Sequence, residues 1–224
     1  MIRAIFLFIY MTGLFCLNAQ GTLFTTQTEI RIIPREEWGA EPAQTQRMHQ
    51  YRRPLEEVYY SIVFHHSEAA RRDGRFYATP IWIQQAEMHI WDDYHFADIG
   101  YNYVIDEEGK IYKGRLLKYL GAHAGTVKRE GDSYDPRIDP DYGRIGIVLT
   151  GNFEEDIVTE EQRRSALWLV KYLKIRFPQI TNDKIVGHRD IRDIVAAQGH
   201  HVTGQRKTCP GRNLYNFITT VTWP

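Results

Sequence analysis

Two short apolar runs constrain this chain most. Val58 to His65 (VYYSIVFH) and Arg144 to Thr150 (RIGIVLT) are dense in β-branched and aromatic residues and are of strand length, so both read as buried strands. Around them the apolar period becomes helical. Thr79-Pro80 opens one helix, because threonine caps a free N–H and proline suits the first helical position. Ile83, Ala86, Ile90, Trp91 and Tyr94 then fall on one face. Thr159 with Gln162 three residues later forms a capping box for a second helix, which turns Ala166, Val170, Leu173 and Phe177 inward and stops at Pro178. Tyr101 to Asp106 and Lys110 to Gly114 read as a hairpin with Glu107, Glu108 and Gly109 at its turn, and Lys184 to Gly187 as a short strand that delivers His188. Strands interleaved with two long helices predict an α/β fold, a mixed central β-sheet flanked by α-helices.

The 224 residues hold no repeat or low-complexity tract, and residues 30–224 read as a single domain. The polar stretch 126–143, with Asp135-Pro136 and Asp139-Pro140, is a long loop, either functional or a solvated insertion. Lysine plus arginine equal aspartate plus glutamate at 28 each, which removes any whole-chain electrostatic case for nucleic acid or an anionic membrane.

Residues 1–19 have the layout of a signal peptide: a basic start at Arg3, an apolar stretch from Ala4 to Leu17, and Ala19 at the cut. An uncleaved N-terminal anchor is the alternative. Cleavage after Ala19 removes Arg3 and no acid, leaving 27 positive against 28 negative groups, or −1. The expectation is an exported protein, periplasmic or extracellular, with no stable membrane insertion once the signal is gone. Of the two cysteines, Cys16 leaves with the signal, so Cys209 is alone in an exported chain. Such a thiol is an oxidation hazard unless it is buried, paired between chains or bound to metal.

Metal binding is one reading of that thiol. His65 and His188 both end strands, where ligand sites in open α/β sheets gather. With Cys209 they make three protein ligands for Zn2+ and leave a fourth position for water, as in catalytic zinc sites. Zinc lowers the pKa of bound water from about 15.7 to roughly 7. From spacing alone a second reading stands beside this one, in which His65 and His66 are core residues and Cys209 is simply buried.

The words around these residues discriminate. IVFHHSEA (62–69), DIGYNYVIDEEGKIYKGR (98–115), GAHAG (121–125), IGIVLTGNF (145–153), VGHRD (186–190) and KTCPG (207–211), with Trp38-Gly39-Ala40 before them, resemble the zinc-dependent N-acetylmuramoyl-L-alanine amidases over about residues 31 to 220. That family includes the peptidoglycan recognition proteins and the amidase-type phage lysozymes. The resemblance implies one zinc per chain on His65, His188 and Cys209, in a groove at strand ends. It implies catalytic roles for Tyr101 and for Lys207, which matches the lysine of the phage-type enzymes, and a substrate-groove position for His123. His66 is expected in the core or behind the site, with Arg189 and Asp190 bracing the loop. The implied activity is cleavage of the amide between the lactyl group of N-acetylmuramic acid and L-alanine. The implied partner is peptidoglycan or a muropeptide, and the implied state is a monomer. Non-catalytic receptors of this fold lack the cysteine ligand, which is present here. Where many relatives carry an Asn- and Ser-containing word before IGI, this chain has Asp141-Tyr142-Gly143-Arg144.

Overall fold

The two apolar runs lie side by side at the centre of a six-stranded sheet. This computed structural model describes residues 29–68, 71–72, 75–76, 79–90, 95–125, 136–200 and 208–224. The export segment expected over residues 1–19, Trp91 and Tyr94, residues 126–135 of the polar stretch, and Lys207 lie outside the described residues. In chain order the elements are β1 (Ile32–Ile33), α1 (Leu55–Val58), β2 (Ser61–His66), β3 (Arg71–Arg72), β4 (Arg75–Phe76), α2 (Pro80–Gln85), β5 (Tyr103–Ile105), β6 (Ile111–Lys113), β7 (Arg144–Leu149), α3 (Glu160–Arg176), β8 (Ile185–Gly187), α4 (Ile191–Ala197) and α5 (Arg212–Thr220).

The main sheet runs β1-β6-β5-β7-β2-β8, with β3 and β4 forming a separate pair. Only β5 and β6 are antiparallel neighbours in the main sheet; its other pairings are parallel. The α/β class and the mixed sheet expected from the sequence are thus observed.

Central parallel strands carry helices on both faces, so they are apolar throughout. Ile62 and Phe64 of β2, Ile145, Ile147 and Leu149 of β7, and Tyr103 and Ile105 of β5 pack with α3 and α5. The alternate residues face the other way: Val63 joins Ile191 and Val195 of α4, and Val104 and Val148 join Ile83 of α2. By the period of two, His65 shares the α2/α4 side with Val63, and His66 shares the α3/α5 side with Phe64. Leu169 and Leu173 of α3 are fully buried, each worth roughly 1.5–3 kcal/mol of apolar transfer.

Both helix starts follow their predicted chemistry. Thr79 caps α2 by accepting from the Trp82 N–H, with Pro80 in the first turn. Thr159 and Gln162 form the reciprocal capping box of α3. The face predicted for the first helix is corrected beyond Ala86. The α-helix ends at Gln85 and Ala86–Ile90 continue as a π-helical turn. Ile83 and Ala86 are buried as expected, but Ile90 is 67% exposed and Glu87 and Met88 turn inward instead. A π turn has more residues per turn than 3.6, which rotates every later position off the predicted stripe.

Candidate metal centre

His65 is the fifth residue of β2, pairs in register with Val148 of β7, and is buried. His188 follows β8 directly, in a 3-10 turn of His188–Asp190. Cys209 lies on the turn before α5, in a cis peptide bond with Pro210. Asp190 and Arg189 tie the last two segments together. The Gly187 N–H and the Tyr215 hydroxyl donate to the two Asp190 carboxylate oxygens at 2.8 and 2.9 Å. The Arg189 N–H donates to the Cys209 carbonyl at 2.9 Å. Its guanidinium donates to the Thr208 carbonyl and lies 4.5 Å over the Tyr215 ring. Gly187 permits this packing, since a Cβ there would sit 2.8 Å from Pro210 Cδ. Arg189 and Asp190 therefore brace the loop, as expected.

One ligand atom from each of His65, His188 and Cys209 lies within 4.8 Å of the others. Cys209 Sγ is 3.7 Å from His65 Nδ1. Tetrahedral zinc with Zn–N near 2.0–2.1 Å and Zn–S near 2.3 Å requires an N···S separation of about 3.6 Å. The His65 and His188 ring centres are 4.6 Å apart. Donor set and spacing fit zinc, with Nδ1 as the His65 nitrogen on the metal side. Burial, and then the neighbouring His188, His123 and His66, hold the His65 pKa well below its ordinary value. The ring is therefore neutral, the form that ligates metal.

Tyr101 is half-buried, its ring centre 5.0 Å from that of His65. Burial first, then the Glu87 and Cys209 charges, push its pKa well up, so the phenol keeps its proton. It precedes β5 rather than belonging to it, and the next residue explains why. Asn102 inserts its side chain between strands, accepting from the Gly146 N–H at 2.9 Å and donating to the Arg115 carbonyl at 3.1 Å.

His123 is the residue for which the resemblance implies a substrate-groove position. Its side chain is 0% exposed. It lies behind His65, with His123 Nδ1 3.1 Å from His65 Nε2. His66 is buried on the opposite sheet face, where its Nδ1 accepts from the Phe153 N–H at 3.3 Å.

Glu87, which sequence reasoning missed, is 5% exposed and accepts the Gly100 N–H at 2.7 Å beside Tyr101. Burial raises its pKa to about 8, against the opposing pull of the Gly100 N–H and Arg115. A glutamate between Ala86 and Met88 was its only signal, and a regular helix would have turned it elsewhere.

A family model of N-acetylmuramoyl-L-alanine amidases matches residues 56–212, which include all six candidate site residues. Peptidoglycan-recognition protein SC2 of Drosophila melanogaster is 27% identical over 212 residues, covering 95% of this chain and 94% of its own. An N-acetylmuramoyl-L-alanine amidase of Sus scrofa is 25% identical over 202 residues, 86% of this chain and 27% of that protein. The crystal structure of Drosophila peptidoglycan recognition protein SD superposes with a TM-score of 0.60 at 25% identity, covering 87% of this chain and 96% of that one.

Proposed function

This chain belongs to the N-acetylmuramoyl-L-alanine amidase family, and we propose that it is a zinc-dependent hydrolase that cuts the amide between the lactyl group of N-acetylmuramic acid and the L-alanine of the stem peptide. The observation that carries this reading is the convergence of His65, His188 and Cys209 with a spacing that suits tetrahedral zinc. When bound, zinc supplies an activated water and polarises the carbonyl under attack. Tyr101, protonated and beside His65, is placed to orient the nucleophile and pass a proton. Lys207, two residues before Cys209, supplies positive charge for the oxyanion. The substrate is peptidoglycan or a muropeptide, met in the periplasm or outside the cell after residues 1–19 are removed, and the chain acts as a monomer.

A second reading, a receptor that binds muropeptide without cutting it, is favoured by the names of the recognition-protein relatives. Cys209 supports the first reading, because binding alone has no use for a third metal ligand.

Digestion of purified peptidoglycan with and without chelator, reading released stem peptides, decides between them. Release that is abolished by chelation and by Cys209→Ser is expected; binding without release would establish the receptor. Lys207→Ala should keep zinc and lose about 100- to 1000-fold in kcat. Tyr101→Phe should keep zinc and lose about 100-fold or more.

A further inference from the structure

We infer that Asp141 and His123 are positioning residues for His65: a buried Asp141–His123–His65 relay sets the tautomer and ring angle with which His65 meets the metal. This rests on the zinc reading above and deepens it.

The proton positions follow from the contacts. His65 Nδ1 faces Cys209 Sγ at 3.7 Å, so its lone pair is the one available to metal. The ring proton then sits on Nε2 and is donated to His123 Nδ1 at 3.1 Å. His123 must therefore present a lone pair at Nδ1 and carry its own proton on Nε2. That nitrogen is 3.2 Å from Asp141 Oδ1. The contact is not a formed hydrogen bond; the carboxylate charge and the Arg144 backbone carbonyl, also close to the imidazole, both favour an N–H on this nitrogen.

Asp141 is itself fixed. Its Oδ1 accepts the N–H groups of His123 at 2.8 Å and Ala124 at 3.0 Å, and its own N–H donates to Asp139 Oδ1 at 2.9 Å. The imidazole has a place built for it. A Cβ on Gly146 would lie 2.4 Å from His123 Cδ2, and one on Gly121 would lie 2.8 Å from it. Neither glycine can be enlarged without displacing the ring. Metal-bound histidines generally donate their second N–H to a fixed acceptor, and loss of that acceptor typically costs about 10- to 100-fold in metal affinity. Here the acceptor is a second imidazole, and the Asp141 carboxylate beside it favours the tautomer in which Nδ1 accepts.

The test is zinc affinity by chelator competition for the wild type, Asp141→Asn, His123→Ala and the double variant, with ring-nitrogen NMR of the metal-free wild type. Asparagine keeps a carbonyl for the His123 and Ala124 N–H groups, removes the charge and turns the other oxygen into a donor. Each single variant should bind zinc about 10- to 100-fold more weakly, and the double variant no more weakly than His123→Ala. In the metal-free protein both His65 and His123 should carry their proton on Nε2. The NMR measurement stands even if a variant fails to fold. Unchanged affinities, additive losses, or a proton on His123 Nδ1 would overturn the relay. A wild type that binds zinc alongside variants that bind it equally well would remove the relay alone. A wild type that takes up no zinc would remove both the relay and the metal reading.

Discussion

A carboxyl group sealed from water keeps its proton until the solution becomes alkaline, and Glu87 is such a group. Its pKa stands near 8 in the folded protein against an ordinary 4.5. The folded state therefore holds a proton that the unfolded chain releases between those two values. The stability linked to it is whole below pH 4.5 and is lost as pH rises through 8. At pH 7 the loss is on the order of 3 kcal/mol. Glu87→Gln, neutral at every pH, should match the wild type near pH 4.5 and exceed it by about that amount at pH 7. Urea unfolding of both metal-free proteins at the two pH values checks this, and parallel pH profiles would refute it. Glu87 was illegible in the sequence because its burial follows from a wider helical turn, which no spacing rule at 3.6 residues anticipates. The His123 and Asp141 pairing was hidden for another reason. It needs β7 beside β2, so that Gly146 lies under the imidazole, and that register is a long-range outcome. His65, His188 and Cys209 were legible because each sits in a short word of its own.

Elements that report their own ends were read correctly. At α3, Thr159 Oγ1 accepts the Gln162 N–H and Gln162 Oε1 accepts the Thr159 N–H, both at 3.1 Å. Both bonds span three residues, so the sequence carries all the information needed. The same two side chains also reach outward: the Thr159 hydroxyl donates to the Glu107 carbonyl and Gln162 Nε2 to the Thr150 carbonyl, each at 3.0 Å. The cap therefore clamps the turn between β5 and β6 and the end of β7 as well as the helix. Thr159→Ala should cost about 1–2 kcal/mol, in the upper part of the range for lost caps. Thermal or urea unfolding measures it, and a change below about 0.3 kcal/mol would show that water takes over the cap. The hairpin was legible in the same local way, but its first strand was drawn too long. Asn102 replaces a ladder bond with its own side chain, an option that sequence pattern does not signal.

Across the whole molecule the three candidate ligands come from a central strand, the turn after an edge strand and the turn before the last helix. On the zinc reading proposed above, metal would link these three segments and bind the folded chain in preference to the unfolded one. At free zinc about 1,000 times Kd the linkage is worth about 4 kcal/mol. Stripping zinc with a chelator should lower the melting temperature accordingly, and Cys209→Ser should melt close to the stripped wild type. Equal melting with and without metal would contradict this.

The order of the strands also has a meaning in time. His65 and Cys209 are separated by 144 positions, so at ordinary translation speeds of 5–20 residues per second the histidine is made roughly 7–30 s before the thiol. His188 arrives directly after β8, the strand at the sheet's margin, beside a β2 already available to β7. A half-made chain can assemble the centre of the sheet, yet it holds one ligand of three and only a weak grip on any passing ion. On the zinc reading, metal capture waits for Cys209 and so follows the assembly of the centre of the sheet.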